Sequence, residues 1–146
     1  MKTKGTSMGV WFRWAITSLR RAGWAPVLVF AIHIAAILGL DIYNRFPEFD
    51  IPMHFAGGAA IAYFFGACYR EAAHLGLLGQ PSAIVFPPMI LGLTSIAAVV
   101  WEFAEFIADQ QFGMHTQPSL ADTLLDLLMG LSGGLVVIAW RYSRPS

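Results

Sequence analysis

Charged residues are scarce in this sequence. Lysine, arginine, aspartate and glutamate together make up 12% of its 146 residues, whereas soluble domains average about 25%. Hydrophobic residues make up 57%, so we exclude a soluble domain and predict an integral membrane protein whose partner is the lipid bilayer. The formal net charge of zero indicates nothing about nucleic acid. No basic run of the usual kind is present, and we expect no nucleic-acid partner.

Cysteine is almost absent as well. Cys68 is the single cysteine, so an intrachain disulfide is excluded and cysteine usage indicates no redox compartment. Internal repeats and low-complexity tracts are also lacking. The length suits one domain.

The apolar residues fall into four runs, each long enough to cross a hydrocarbon core of about 30 Å as a helix. The predicted spans cover residues 26–42, 52–69, 87–109 and 120–140. We therefore predict an all-α fold in which residues 24–142 form a four-helix membrane bundle.

Residues 1–23 precede the first predicted span and carry five basic side chains. Trp11 and Leu19 would share one helical face, and Arg13 and Arg20 would share the opposite one. This pattern is typical of an amphipathic helix that lies in the membrane interface. A simple basic flank to the first span is an equally good interpretation. The segment is too long for an ordinary signal peptide, so we expect a retained anchor.

The basic residues predict the orientation of the bundle. With four spans, both termini share one side of the membrane with the 71–82 connection. Eight of the nine basic residues lie on that side: Lys2, Lys4, Arg13, Arg20, Arg21, Arg70, Arg141 and Arg144. Only Arg45 lies on the other side, so the positive-inside rule predicts that the N and C termini are cytoplasmic.

The acidic residues have the opposite distribution. Of the nine, only Glu71 is expected on the inner side. Three predicted spans carry acids at one depth, where they can converge with an imidazole into an outward-facing site. Close carboxylates cannot all be ionised without a counter-charge, and oxygen plus imidazole ligands suit a divalent cation such as Mn²⁺, Fe²⁺, Zn²⁺, Mg²⁺ or Ca²⁺. The candidate metal ligands are Asp50, His54, Glu102, Glu105, Asp109, Asp122 and Asp126.

Three of these acids lie on the third span. Glu102, Glu105 and Asp109 have the spacing i, i+3, i+7, which puts them on one helical stripe, away from the neighbouring phenylalanines. An unpaired carboxylate in hydrocarbon costs on the order of 3 kcal/mol. The stripe is therefore expected to face the bundle interior, a cation or water.

Several of these residues also have plainer interpretations. Asp50 and Asp122 suit the first turn of a helix, where the macrodipole favours acids, and Ser119 is a plausible N-cap. Glu105 and Asp109 could instead be solvated at the membrane surface. Glu102, His54 and Asp126 are too deep for capping, so a functional or metal role is favoured for them.

The other histidines and the glycines carry weaker signals. His33 is interpreted as a hydrogen-bonded interior histidine. His115, in a loop, either completes a metal shell or is exposed, and exposure is favoured. The helical glycines are expected to let helices pack closely: Gly57, Gly58, Gly130 and Gly134.

Three short motifs carry a resemblance to known proteins. They are Asp50-x-x-x-His54, Trp101-Glu102-x-x-Glu105, and Asp122-x-x-x-Asp126 followed by Gly130 and Gly134. Together they resemble the YjdF-type small bacterial inner-membrane proteins, over roughly residues 50–134. More distantly they are similar to VanZ-like proteins, named for a glycopeptide-resistance accessory protein.

The departures from the VanZ-like pattern favour the YjdF type. This sequence has Ile51, Glu105 and Asp126 where the VanZ-like motifs have Lys, Gln and Asn. The site is therefore more acidic, which argues against an antibiotic-resistance role. The resemblance implies a multi-pass protein of the bacterial inner membrane with a shared polar centre, and it implies no particular reaction.

Three functions follow from these features. The first is a metal-dependent hydrolase or transferase that acts on a lipid or lipid-linked head group in the outer leaflet, with Glu102, Glu105 and Asp126 as candidate catalytic residues. The second is a cation or proton pathway, which would need a homo-oligomer because the inner halves of the spans lack ionisable groups. The third is a structural or accessory protein whose polar cluster pins the helices together.

Overall fold

The structure is a computed structural model, which describes residues 7–38, 42–80, 82, 84–114 and 116–142. All regular structure within those residues is helical, which confirms the all-α prediction. The elements are α1 (Ser7–Ala22), α2 (Trp24–Leu38), α3 (Ile42–Arg45), a 3₁₀ turn (Pro47–Phe49), α4 (Asp50–His74), α5 (Phe86–Phe112) and α6 (Leu120–Tyr142).

Three of these helices are long and apolar enough to cross a membrane. The qualifying segments are Pro47–His74, Phe86–Phe112 and Leu120–Arg141. They contain the predicted spans 52–69, 87–109 and 120–140. The integral membrane class is therefore confirmed by helix length and composition.

The structure describes the first predicted span only in part. The described part of α2 has 15 residues, which extend about 22 Å at 1.5 Å per residue. Met8–Ala22 and Trp24–Ile37 qualify as a span only together, and they are bent by 56° at the break. The described residues therefore contain three spans, or four if this bent pair is one. Residues 39–41 of the predicted span lie outside the described residues.

Glycines bring α4 and α6 into close contact. A Cβ atom on Gly58 would overlap the carbonyl group of Gly130, and one on Gly133 would overlap the carbonyl group of Phe55. Small residues at such crossings let two backbones approach, as membrane helix pairs require. The packing role predicted for Gly58 and Gly130 is confirmed, and Gly133 is an additional contact that the GxxxG spacing does not reveal.

The two other glycines predicted to pack behave differently from one another. A Cβ atom on Gly134 would lie 3.0 Å from Thr94 Cγ2, whereas one on Gly57 would meet nothing within 4 Å. Gly134 therefore packs α6 on α5, as predicted. The packing prediction for Gly57 is wrong, because this glycine faces open space on α4.

α1 is attached to the C-terminal end of α4, opposite the end that begins at Asp50. Arg21 Nη1 lies 2.8 Å from Glu71 Oε2, and Trp14 Nε1 donates a 2.8 Å hydrogen bond to the carbonyl oxygen of Cys68. Arg141, in the last turn of α6, stacks over the ring of Tyr63 at 4.7 Å. We call this the basic end of the bundle, and we call the end with Asp50, Glu105 and Asp122 the acidic end.

Candidate functional site

The acidic stripe of α5 faces the interior of the bundle. Glu102 and Glu105 are buried, with 5% and 7% of their surfaces exposed, whereas Phe103 and Phe106 are 62% and 54% exposed. Residues three apart share a helical face and adjacent residues do not. The predicted separation of the acids from the phenylalanines is therefore confirmed.

His54 lies at the centre of the acidic end. It follows Asp50 by one turn of α4, and its Nε2 lies 3.4 Å from Asp50 Oδ1. The same nitrogen lies 3.9 Å from Oδ1 of Asp126 on α6. On the other edge of the ring, Nδ1 lies 3.7 Å from Oε1 of Glu102 on α5. His54 therefore lies between carboxyl groups from three helices.

The donor atoms at this end form two groups that share His54. One consists of Asp50, His54 and Asp126, and the other of His54, Glu102 and Glu105; in each group the donor atoms lie within 4.8 Å of one another. Asp126 is buried, whereas the Asp50 side chain is partly exposed, so the first group extends from the interior toward the surface. The structure thus brings together most of the ionisable residues of the three motifs: Asp50, His54, Glu102, Glu105 and Asp126.

Two further polar side chains hold the glutamates in place. Gln117 Nε2 donates hydrogen bonds of 2.9 Å to both the carbonyl oxygen and Oε2 of Glu102. Trp101 Nε1 donates a 2.8 Å hydrogen bond to Glu105 Oε1. Gln117 was not predicted, because a loop residue 15 positions away from its partner leaves no periodic signal in the sequence.

Two buried carboxylate oxygens in this region lack a hydrogen-bond donor. No donor in the described part of the chain reaches Glu102 Oε1 or Asp122 Oδ2. A buried acceptor without a partner costs roughly 1–3 kcal/mol, so such atoms call for an explanation, and an ion is one of the usual ones. Glu102 Oε1 is the oxygen that faces His54 Nδ1.

Asp109 organises the loop after α5 and belongs to neither donor group. Its Oδ1 accepts hydrogen bonds of 2.7 Å from the backbone N–H and the hydroxyl of Thr116. Its Oδ2 accepts a 2.9 Å bond from the backbone N–H of Gln117. The chain can turn back in this way because α5 ends at Gly113 in the left-handed conformation, with φ of 63°. Asp109 thereby positions Gln117 beside Glu102.

Asp122 lies in the first turn of α6, as its capping interpretation predicts. Its backbone N–H donates a 3.2 Å hydrogen bond to Ser119 Oγ, which confirms Ser119 as the N-cap. Asp122 is outside both donor groups, but its side chain lines a cavity beside Asp50 and Glu105.

His33 makes the hydrogen bond expected of an interior histidine. Its Nδ1 lies 2.6 Å from the hydroxyl of Tyr43, and its ring stacks edge-on against Trp101 at 5.1 Å. Burial raises the pKa of Tyr43, and the nearby negative charge of Asp50 raises it further. The phenol therefore stays protonated and can take part in this bond as a donor. His115 lies outside the described residues.

Two cavities, one polar and one apolar, lie beside His33. The polar cavity, of about 180 Å³, lies at the acidic end and is lined by Asp50, Glu105 and Asp122 among others. The apolar cavity, of about 260 Å³, lies between α2, α4, α5 and α6, and His54 is part of its wall. His33 lines both cavities.

Helices that can span a membrane, together with buried acids around one histidine, define a multi-pass helical membrane protein with an internal polar cluster. The chain belongs to the family described as "Predicted membrane protein (DUF2238)", which matches residues 8–145. The match includes all six helices apart from the first residue of α1.

One relative extends this comparison. A protein of Thermotoga maritima, named "Uncharacterized protein", is 30% identical over 106 residues, which cover 70% of this chain and 53% of the relative. The chain therefore spans about half the length of the curated relative that it matches. No solved structure matches the chain.

Proposed function

We propose that this protein binds one divalent cation at its acidic end, through Asp50, His54 and Asp126. The observation that carries the proposal is the meeting of oxygen and nitrogen donors from α4 and α6 around one imidazole edge. Carboxylate oxygen together with imidazole is a donor set that Zn²⁺, Mn²⁺ and Fe²⁺ accept.

The separations between donor atoms support a shared cation. Asp50 and Asp126 oxygens lie 3.4 Å and 3.9 Å from His54 Nε2, beyond hydrogen-bond lengths of roughly 2.7–3.2 Å. With metal–ligand distances of about 2.1 Å, two ligands of one cation lie roughly 3.4 Å apart at a tetrahedral angle and 4.2 Å apart in opposite positions. The observed separations fall within this interval.

The Nδ1 edge of the His54 ring supports the same choice of metal ligands. A neutral imidazole has one lone pair, so Nε2 can bind the cation only while Nδ1 carries the proton. Metal-binding histidines usually donate that second N–H to a carboxylate, which fixes the ring. Glu102 Oε1, which has no other donor among the described residues, is the acceptor in this assignment. The 3.7 Å between the two atoms would shorten when the cation binds.

Glu105 is then available for chemistry. It lines the polar cavity, and in this assignment it is not a metal ligand. A bound cation would neutralise a phosphate and lower the pKa of a water molecule. Glu105 would accept the proton of that water, with Trp101 holding its carboxylate in place. The reaction class that we propose is hydrolysis or transfer at a lipid or lipid-linked head group.

We also propose four spans in a bacterial inner membrane, with both termini cytoplasmic and the acidic end facing outward. Eight of the nine basic residues would then lie on the cytoplasmic side. The packing of Arg21 and Arg141 at the basic end supports this orientation. The family match supports the YjdF-type resemblance, whereas the VanZ-like resemblance rests on the three motifs alone.

Metal analysis of the purified protein tests the cation proposal. After incubation with Zn²⁺ or Mn²⁺ and removal of excess metal, the wild-type protein should retain one ion per chain. Asp126→Asn should lose it. Glu48→Gln is the control, because it removes one charge from an exposed side chain close to the acidic end and should retain the ion.

The other outcomes identify the alternative functions. If Asp126→Asn keeps the ion and Glu105→Gln loses it, the cation lies on the Nδ1 edge and our assignment of ligands is wrong. If no metal binds but ion flux into liposomes depends on Asp126, the protein is a pathway. If metal and flux are both absent and Asp126→Asn only loses thermal stability, the cluster is structural. Each of these outcomes contradicts the proposal.

A further inference from the structure

The residues that line the apolar cavity make it an unfavourable site for water. Its wall is formed mainly by carbon atoms of four helices, from residues that include Val29, Phe30, Met53, Ile61 and Ala97. Cavities lined in this way bind apolar molecules, as an engineered apolar cavity of roughly 150 Å³ does. A hydrocarbon is therefore a better occupant than water.

Three of the polar groups in this wall already have partners. Thr94 Oγ1 donates a 2.9 Å hydrogen bond to the carbonyl oxygen of Ile90, and Trp101 Nε1 donates to Glu105. His33 Nδ1 bonds to the Tyr43 hydroxyl. A buried water needs two to four polar partners, and these satisfied groups offer it few.

The apolar cavity adjoins the proposed cation site. His54 lines the apolar cavity and also belongs to the group with Asp50 and Asp126, while Asp50 lines the polar cavity. A molecule that reaches both cavities must be apolar along one part and polar at the other. A membrane lipid has this character.

The open cavity, and not close helix packing, explains why residue 57 is a glycine. Its neighbour Gly58 sits against the backbone of Gly130, so a larger residue cannot replace it. A Cβ atom on Gly57 would meet nothing within 4 Å, and the residue lines the apolar cavity from α4. Glycine in a helix costs roughly 0.5–1 kcal/mol relative to alanine, so its presence here calls for a reason other than contact.

The cavity borders the lipid between α2 and α5. Those two helices meet where the rings of Phe30 and Trp101 pack edge to face at 6.0 Å. Phe30 lines the cavity and is 51% exposed, so its ring borders both the cavity and the outer surface of the bundle. A chain could enter from the membrane at this position.

From these observations we infer that the apolar cavity holds one hydrocarbon chain of a phosphate-bearing lipid whose head group occupies the polar cavity. This inference rests on the proposed function and names the substrate class of that site. A volume of about 260 Å³ is below the roughly 300–1,000 Å³ of pockets that enclose whole small molecules. It therefore suits part of one chain, while the rest of the lipid stays in the bilayer.

Photocrosslinking tests the inference. The full-length protein is reconstituted with a phosphatidylglycerol that carries a diazirine in one acyl chain, irradiated and mapped by mass spectrometry. We expect labelling of Met53, which is buried from bulk lipid and lines the cavity. Phe103 faces outward and should be labelled by bulk lipid in every variant, so it serves as the internal standard.

Gly57→Leu should abolish the labelling of Met53 and leave that of Phe103 unchanged, because the new side chain fills the cavity. Gly92→Leu is the matched control: Gly92 also has nothing within 4 Å of a Cβ position but does not line the cavity. Ala97→Leu fills the cavity from α5 and is the second variant if Gly57→Leu does not fold.

Metal content is measured on the same samples, so that the two proposals fail separately. If Met53 is not labelled, or if Gly57→Leu leaves its labelling unchanged, the chain site is wrong even when one ion per chain is bound. If Met53 is labelled and Gly57→Leu abolishes it while no ion binds, the chain site stands and the cation proposal fails.

Discussion

The indole of Trp101 connects the acidic end of the bundle with the apolar cavity. Its Nε1 donates a 2.8 Å hydrogen bond to Glu105 Oε1, while its ring forms part of the cavity wall. The same ring packs against Phe30 and His33, with centroids 6.0 Å and 5.1 Å away. A change at this one residue should therefore affect both the carboxylate and the cavity.

Trp101→Phe keeps an aromatic ring and removes the N–H donor. A buried acceptor that loses its donor costs roughly 1–3 kcal/mol, so we expect a lower free energy of unfolding and a lower melting temperature in detergent. Trp11→Phe is the control, since Trp11 is exposed. In a double-mutant cycle with Glu105→Ala, the two effects should be less than additive. Full additivity would show that this bond does not contribute.

Gln117→Ala removes the two hydrogen bonds that fix Glu102. Because Glu102 would orient His54 as a metal ligand, the dissociation constant for Zn²⁺ should rise about 10- to 100-fold, as for other outer partners of metal ligands. Competition with a chromophoric chelator measures this dissociation constant. Gln111→Ala, on the exposed face at the end of α5, should leave the constant unchanged. An unchanged constant in Gln117→Ala would rule out this role for Glu102.

Asp109→Ala should loosen the loop without changing the metal ligands. The backbone N–H groups of Thr116 and Gln117 lose their acceptor, so their hydrogen exchange should become faster. Amide exchange followed by mass spectrometry measures this change. Glu48→Ala removes an exposed acid close to the acidic end and should leave exchange in this loop unaltered. Equal protection in both variants would show that Asp109 does not hold the loop.

The adjacent glycines of α4 should respond oppositely to alanine. Gly58→Ala forces a Cβ atom onto the carbonyl of Gly130, and overpacking of this kind costs roughly 1–3 kcal/mol or more. Gly57→Ala meets no atom within 4 Å and should be neutral or stabilise the protein by up to about 1 kcal/mol. Thermal unfolding of the two variants in one detergent provides the comparison. Equal destabilisation would contradict the close approach of α4 and α6.

The ion pair at the basic end should contribute little. Arg21 Nη1 and Glu71 Oε2 are 2.8 Å apart, but the Arg21 side chain is 66% exposed, and exposed pairs contribute about 0–1 kcal/mol. Arg21→Ala should therefore lower the melting temperature only slightly. A larger loss, measured beside Arg20→Ala as the exposed control, would mean that α1 depends on this pair for its attachment to α4.

Much of the site was predictable from local patterns. The i, i+3, i+7 spacing of Glu102, Glu105 and Asp109 was enough to predict a common face, because a helix has a fixed number of residues per turn. The buried positions of Glu102 and Asp126 followed from the cost of a carboxylate in hydrocarbon. That spacing cannot separate Asp109 from the other two acids, since the distinction depends on where the following loop returns.

The sequence alone determined that this is a helical membrane protein with acids and one histidine concentrated at one level, because hydropathy and helical periodicity are local properties of the chain. Only the tertiary structure decided that α1 and α2 bend by 56°, that Gly57 borders a cavity while Gly58 supports a helix crossing, and that Gln117 reaches Glu102. These relations depend on how separate helices and loops meet, and no local pattern of residues encodes that meeting.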